Sequence, residues 1–213
     1  METSGTLYQT RYRSKLIWGL AFFLSFSCAL VVVWLQNADG PRAFLPGGAL
    51  RSGHWQSGEQ VDWAKKLAYK PMGNIELELV QWQSSRTTGV FVHQGQLIVP
   101  CDLGFIWRRV PDTSLRWLLN VIYWFKNWHI KAQQHGEAVV RLQGNLYPKY
   151  IQRITNPELL VHYRAHVQQA AQTWLKAELL SGVEVANDEI WFFALSPRNL
   201  TSVSLPGAYT PLR

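Results

Sequence analysis

From Leu16 to Leu35 the chain reads LIWGLAFFLSFSCALVVVWL, about 20 residues without a charge. At 1.5 Å per residue such a helix is about 30 Å long, the thickness of a bilayer's hydrocarbon core. Trp18 and Trp34 stand near its two ends, where indole rings favour the membrane–water interface. Leu16, Trp18, Phe22, Phe23, Leu30, Val32, Trp34 and Leu35 are therefore read as a transmembrane anchor. A cleaved signal peptide is the competing reading. Its apolar core would be about 7–15 residues, and Ala38 and Ala43 offer only weak cleavage contexts. Arg11, Arg13 and Lys15 precede the run, whereas Asp39 and then Arg42 come after it. Cations stay on the cytoplasmic side, so the expected orientation is N-terminus inside and bulk outside, in a bacterial periplasm.

After the anchor the apolar period changes repeatedly. Pro41, Pro46, Gly47, Gly48, Gly53 and Gly58 interrupt any regular element, so 36–58 is read as a linker. Glu59 to Tyr69 has the pattern of a short helix with Ser57 as cap. Ile75, Leu77 and Leu79 alternate with Glu76 and Glu78, the period of a half-buried strand. Val90–His93 and Gln96–Val99 flank Gln94-Gly95 as a hairpin. Thr113 to Gln134 reads as a helix, with Trp117, Val121, Trp124 and Trp128 on one stripe. It is read either as the core helix of the domain or as a helix lying flat in the outer interface. Val139, Val140 and Leu142 suggest a strand. Thr155-Asn156-Pro157-Glu158 has capping-box spacing and opens a helix that reaches about Ser181, where Gly182 stops it. Val183–Val185 and Ile190–Leu195 read as strands around Asn187-Asp188.

The expected fold is therefore α+β: one transmembrane helix, then one small exported domain with two long helices packed on a mainly antiparallel sheet. Its parts are a cytoplasmic tail 1–15, a span 16–35, a linker 36–58, a periplasmic domain 59–196 and an extended tail 197–213.

Composition sharpens this. The chain has 213 residues and a net charge of +7, which favours anionic headgroups or acidic partners. Its basic residues are scattered, which argues against nucleic acid. Cys28 falls in the anchor and Cys101 outside it, so no disulfide framework is expected. Eleven tryptophans suggest docking surfaces or a domain close to lipid, with Trp117, Trp124 and Trp128 the candidate interface, or else a Trp-rich core.

Candidate chemistry is sparse. His162 and His166 have a metal-compatible i, i+4 spacing, but Tyr163 stands where a hydrolytic zinc helix carries glutamate. His93 and Cys101, with Asp102 as orienter, would make a thiol–imidazole pair if the strands brought them together. No phosphate-binding glycine loop, CxxC or GxSxG occurs. No cofactor, metal or small-molecule substrate is expected.

Two stretches carry a family resemblance: PRAFLPGGALRSGHWQSGEQVDWAKKLA after the anchor, and NLYPKYIQRITNPELLVHYRAHVQQAAQTWLKAELLSGVEV further on. With the single-span layout, they resemble the inner-membrane assembly proteins of type IV secretion and conjugation machines. The resemblance implies a periplasmic domain like nuclear transport factor 2, acting as a scaffold without catalytic residues. One departure is that three strands precede the long helices here.

The sequence thus points to a non-enzymatic single-span subunit that docks other membrane proteins of an envelope complex, most simply a secretion or conjugation apparatus. An assembly subunit of a respiratory or photosynthetic complex is the alternative, and an envelope cysteine enzyme the third reading.

Overall fold

The computed structural model describes residues 4–42, 45–56, 61–103, 127–174 and 190–198. Helix α1 spans Ser4–Asn37. Its segment Ile17–Asn37, 21 residues, is long and apolar enough to cross a membrane, by the same measure that a signal sequence near the N-terminus would satisfy. That segment is not buried against the other described residues. Asn37 closes the helix by donating from its amide to the Val33 carbonyl, 2.8 Å away.

The domain is a barrel. Its strands are β1 His54–Trp55, β2 Gly73–Leu79, β3 Ser84–His93, β4 Gln96–Asp102, β5 Glu137–Leu142, β6 Asn145–Arg153 and β7 Ile190–Pro197. The order β6-β5-β2-β3-β4-β7 is antiparallel throughout, and β7 pairs back onto β6 to close a six-stranded ring. The edge of β6 opposite β5 is shared: β1 lies parallel to Asn145–Leu146, and β7 takes Lys149–Arg153.

Three tight turns set the register. Gln94-Gly95 and Gln143-Gly144 both have positive φ at both positions, 49° and 77°, then 52° and 74°. That is the turn whose twist matches paired antiparallel strands. Between β2 and β3, a single 3-10 turn, Val80–Trp82, ends on left-handed Gln83.

Alternation sorts the strands' side chains. Ile75, Leu77, Val90, Leu97, Val99, Val140, Tyr147, Ile151, Phe193 and Leu195 fill the interior. Helix α2, Trp63–Lys66, adds Trp63 and Leu67 at the Gly73 end of β2. At the other end helix α3, Trp128–Gln134, adds Trp128 and Ala132, with Lys131 and His135 against Trp82. The long helix α4, Pro157–Trp174, lies outside the barrel. Its Tyr163 packs on the outward Phe91, Ile98, Ile190 and Phe192.

The α+β class and the antiparallel sheet match the expectation, but two parts of it are corrected. The sheet closes on itself, and the barrel does not carry two long helices. Apart from α1, only α4 is long among the described residues. The helix expected over 113–134 is described from Trp128 alone, because 104–126 lie outside the described residues. The physical reason for closure is β6. Its proline at 148 argues against a central strand, yet Pro148 sits opposite Val139 without breaking the pairing, and β6 joins β5 to β7. Cap assignments also shift. Asn156, not Thr155, accepts from the Glu158 amide at 2.9 Å, which leaves Pro157 as the first helical residue. Asp62 caps α2, accepting from the Lys65 amide at 3.0 Å. Ser57, the expected cap, lies outside the described residues, as do Gly182, Val183–Val185, the Asn187-Asp188 turn and the tail beyond Arg198.

Candidate functional site

Where α1 meets the barrel, a clasp of charged and backbone groups forms. After Asn37 the chain folds against the outer wall of β5, β2 and β3. Asp39 accepts hydrogen bonds from the Arg51 amide at 2.7 Å and the Ser52 amide at 3.2 Å. Arg141, near the end of β5, donates to Asp39 at 3.0 Å and to the Ser52 hydroxyl at 3.0 Å, and its Nε pairs with Glu76 on β2. The guanidinium is thereby shared between the chain leaving α1 and the sheet.

The remaining contacts are backbone and apolar. Gly47 exchanges two hydrogen bonds with Ser85, 2.9 and 3.0 Å, and the Gly48 amide donates to the Ala38 carbonyl at 3.2 Å. Both glycines are required by close approach. A Cβ on Gly47 would strike the Gly40 carbonyl, and one on Gly48 the Gln36 carbonyl. Leu50 packs into a small separate core with Val139 and Leu146. Its amide donates to the buried Glu78 carboxylate at 2.9 Å.

Electrostatics follow the contacts. Burial works against ionised Asp39, but the Ser52 hydroxyl, the two amides and Arg141 outweigh it and hold its carboxyl at about 2. Glu78 goes the other way: burial pushes its pKa up, against the pull of the Leu50 amide and the nearby cations. Burial opposes the charge on Arg141 as well, but Glu76 and Asp39 keep it more firmly protonated than a free guanidinium. A cleft of about 430 Å³ opens beside the clasp, its lining including Ser52, Asn74, Ile75, Glu76, Arg141 and Leu142.

The residues singled out by sequence fall as follows. The anchor residues all lie in α1, and Trp18, Phe22, Phe23, Leu30, Val32 and Trp34 are each at least half exposed. Trp128 is buried, packed at 5.3 Å on Phe193. Trp117 and Trp124 lie outside the described residues. His93 and Cys101 are not brought together. His93 pairs with Gln96 at the hairpin, and Cys101 is five residues further along β4, about 16 Å at 3.3 Å per residue. Cys101 is buried in the barrel core, near Arg86. His93 instead faces α4, its ring 5.1 Å from His162 and 5.0 Å from Tyr163. Of the i, i+4 pair, His162 is exposed, whereas the His166 ring lies tilted against Phe91 at 4.5 Å and bonds the Pro71 carbonyl at 2.9 Å. Among the described residues no group of three or more His, Cys, Asp or Glu side chains is placed to hold a metal.

Two features had weak sequence signals. One is the clasp, whose trace was a lone arginine inside an apolar strand, AVVRL. The other is Lys149, fully buried between Tyr147 and Ile151 on the inward face of β6. Its ammonium lies 4.6 Å from the Trp63 ring, and burial pushes its pKa down to about 8.

Compared with known proteins, the chain matches no protein-family model and no curated sequence.

Proposed function

We propose that this protein is a non-enzymatic, single-span subunit of a bacterial inner membrane, with its N-terminus in the cytoplasm. Its barrel docks other membrane proteins of an envelope complex from the periplasmic side, in a secretion or conjugation apparatus. The clasp carries this reading. A protein that needed only tethering would be served by a flexible leash, because loops are thermodynamically cheap to lengthen. Here the anchor is fixed to the barrel wall through Asp39, Arg141 and Glu76, so the barrel's orientation to the lipid surface is set. Fixed orientation is what a subunit in a defined assembly requires. The closed ring leaves few free strand edges, so partners would meet side-chain surfaces rather than add strands. The wide separation of His93 and Cys101 also counts against the thiol–imidazole alternative.

The test is crosslinking in intact membranes followed by purification in mild detergent. The expected result is a stable larger assembly, retained in the wild type and loosened by Arg141→Ala. A chain that emerges alone and monomeric, with no crosslinked neighbour, overturns the proposal.

A further inference from the structure

After α1 the chain doubles back toward the helix it has left. Arg42 comes eight residues after Trp34, yet its guanidinium carbon lies 5.8 Å from the Trp34 ring. Arg42 and Leu45 exchange two backbone hydrogen bonds, 3.1 and 3.0 Å. Just after them, the Gly47–Ser85 pair and Gly48 against the end of α1 pin the chain to the barrel. Arg42, Leu45 and Pro46 are all exposed, Leu45 to 41%. The nearby carboxylate, Asp39, is already engaged by Arg51, Ser52 and Arg141.

These facts fix a depth. Trp34 is three residues from the end of the 21-residue apolar segment Ile17–Asn37. At 1.5 Å per residue that segment is about 32 Å long, so its end coincides with the edge of the hydrocarbon. The indole at that edge sits among headgroups, and Arg42 is held at the same level. The ring's face attracts the guanidinium, whose N–H fork suits a planar, bidentate partner such as a phosphate.

We propose that Arg42, held over Trp34, is a binding site for the phosphate of an anionic phospholipid headgroup, with Leu45 seated at the acyl boundary beside it. The site rests on the reading that α1 spans a bilayer. Charge complementarity and continuity with the anchor select lipid as the occupant over an acidic protein. Phosphate is the recognised chemistry, and the bilayer is the source that the depth selects.

The experiment uses the full chain with Cys28→Ser and Leu45→Cys, labelled at position 45 with an environment-sensitive fluorophore. The protein is placed in nanodiscs of phosphatidylcholine alone or of phosphatidylcholine with phosphatidylglycerol. The expected result is a more apolar environment at 45 in the anionic discs. Phosphatidylglycerol retained through mild detergent, read by native mass spectrometry, should fall about fivefold in Arg42→Gln, the effect of one cation at an anionic surface. Arg42→Lys should restore only part of it. Inorganic phosphate added to detergent-solubilised protein should leave the emission unchanged. If phosphate reproduces the change, the site takes a free anion and the lipid assignment is overturned. Emission that ignores both phosphatidylglycerol and Arg42→Gln, in a chain that resists carbonate extraction, removes the headgroup site and leaves the span standing. A chain released by carbonate removes the span, and this site with it. A carbonate-resistant chain whose Arg42 crosslinks to a protein partner rather than to lipid also overturns the proposal.

Discussion

Asp39→Asn isolates the electrostatic part of the clasp with the least change in shape. The variant keeps one acceptor oxygen and loses the charge that gathers Arg51, Ser52 and Arg141. In the folded protein the carboxyl sits at about 2, against an ordinary 3.8. That gap corresponds to about 2 kcal/mol, at 1.36 kcal/mol per pH unit. The side chain is 34% exposed, so solvent screening reduces the stabilisation to about 1–1.5 kcal/mol. Arg141 retains Glu76 in the variant, so no buried charge is left unpaired. For a chain of this size the loss lowers Tm by about 3–5 °C at pH 7. The sign with pH is set by the depressed folded-state value. The contribution is fully present above 3.8 and is lost as pH falls from 3.8 toward 2. Glu78 acts in the opposite sense: its raised pKa means that the fold gains stability as pH falls through that value toward 4.5. Below about pH 4 the Asp39 contribution goes, so the wild type should lose stability steeply there. The variant should follow the wild type's pH dependence above about pH 4 and lack most of that acid loss. The assay is thermal unfolding of the full chain in mild detergent, followed by near-UV circular dichroism from pH 7 to pH 2. A variant with the wild-type Tm at pH 7 and the same acid loss would refute the role given to Asp39.

Three further expectations concern other sites. Burial first, and then the charges of His162 and His166, lower the pKa of His93, whose Nε2 is buried without a hydrogen-bond partner among the described residues. Protonation of His93 thus opposes the docked helix, and stability is lost as pH falls below 6.5. Hydrogen-exchange protection factors over 157–170, corrected for intrinsic rates, should fall on acidification in wild type and not in His93→Gln; an equal fall in both would dismiss the cluster as the cause. Lys149→Met places an apolar chain of similar length in the barrel, and removes an amine whose lowered pKa makes the fold gain stability as pH rises from about 8 toward 10.5. The variant should be at least as stable at pH 7, by about 1–2 kcal/mol on chemical denaturation, and lose that alkaline rise; marked destabilisation would mean that the ammonium's contacts outweigh its burial. Gly47→Ala forces a methyl into the Gly40 carbonyl and should cost about 1–3 kcal/mol, exposing 40–50 to protease while the barrel strands stay protected; an unchanged cleavage rate there would contradict the close approach.

How much was readable in advance depended on whether a residue's role was local. The apolar helix Ile17–Asn37 was legible because charge-free length is a property of consecutive residues. The strand at Ile75–Leu79 and the hairpin at Gln94-Gly95 were legible for the same reason: one by alternation, the other by a turn dipeptide. Strand β6 was not, since Pro148 and the buried Lys149 break the pattern from which strands are recognised. The first half of β3, SSRTTG, was missed because it faces the polar clasp on one side and carries Arg86 on the other. Missing those two segments hid the ring. Asp39, Glu76 and Arg141 are far apart in sequence, and nothing local marks them as partners. The second Gln-Gly was a signal in plain view: Gln143-Gly144 repeats the dipeptide at 94–95, and pairing Val139–Leu142 with Asn145–Pro148 across it would have revealed β6.

The ring is sealed by its last strand. The two Gln-Gly hairpins can form as soon as their own residues are available, but β4 and β6 each wait for β7 as a neighbour. Until residues 190–197 have left the ribosome, a half-made wall must stand with two open seams, and its apolar inner surface must be shielded by something other than itself. The barrel can therefore close only after nearly the whole chain has been made, whatever the stability of the finished ring.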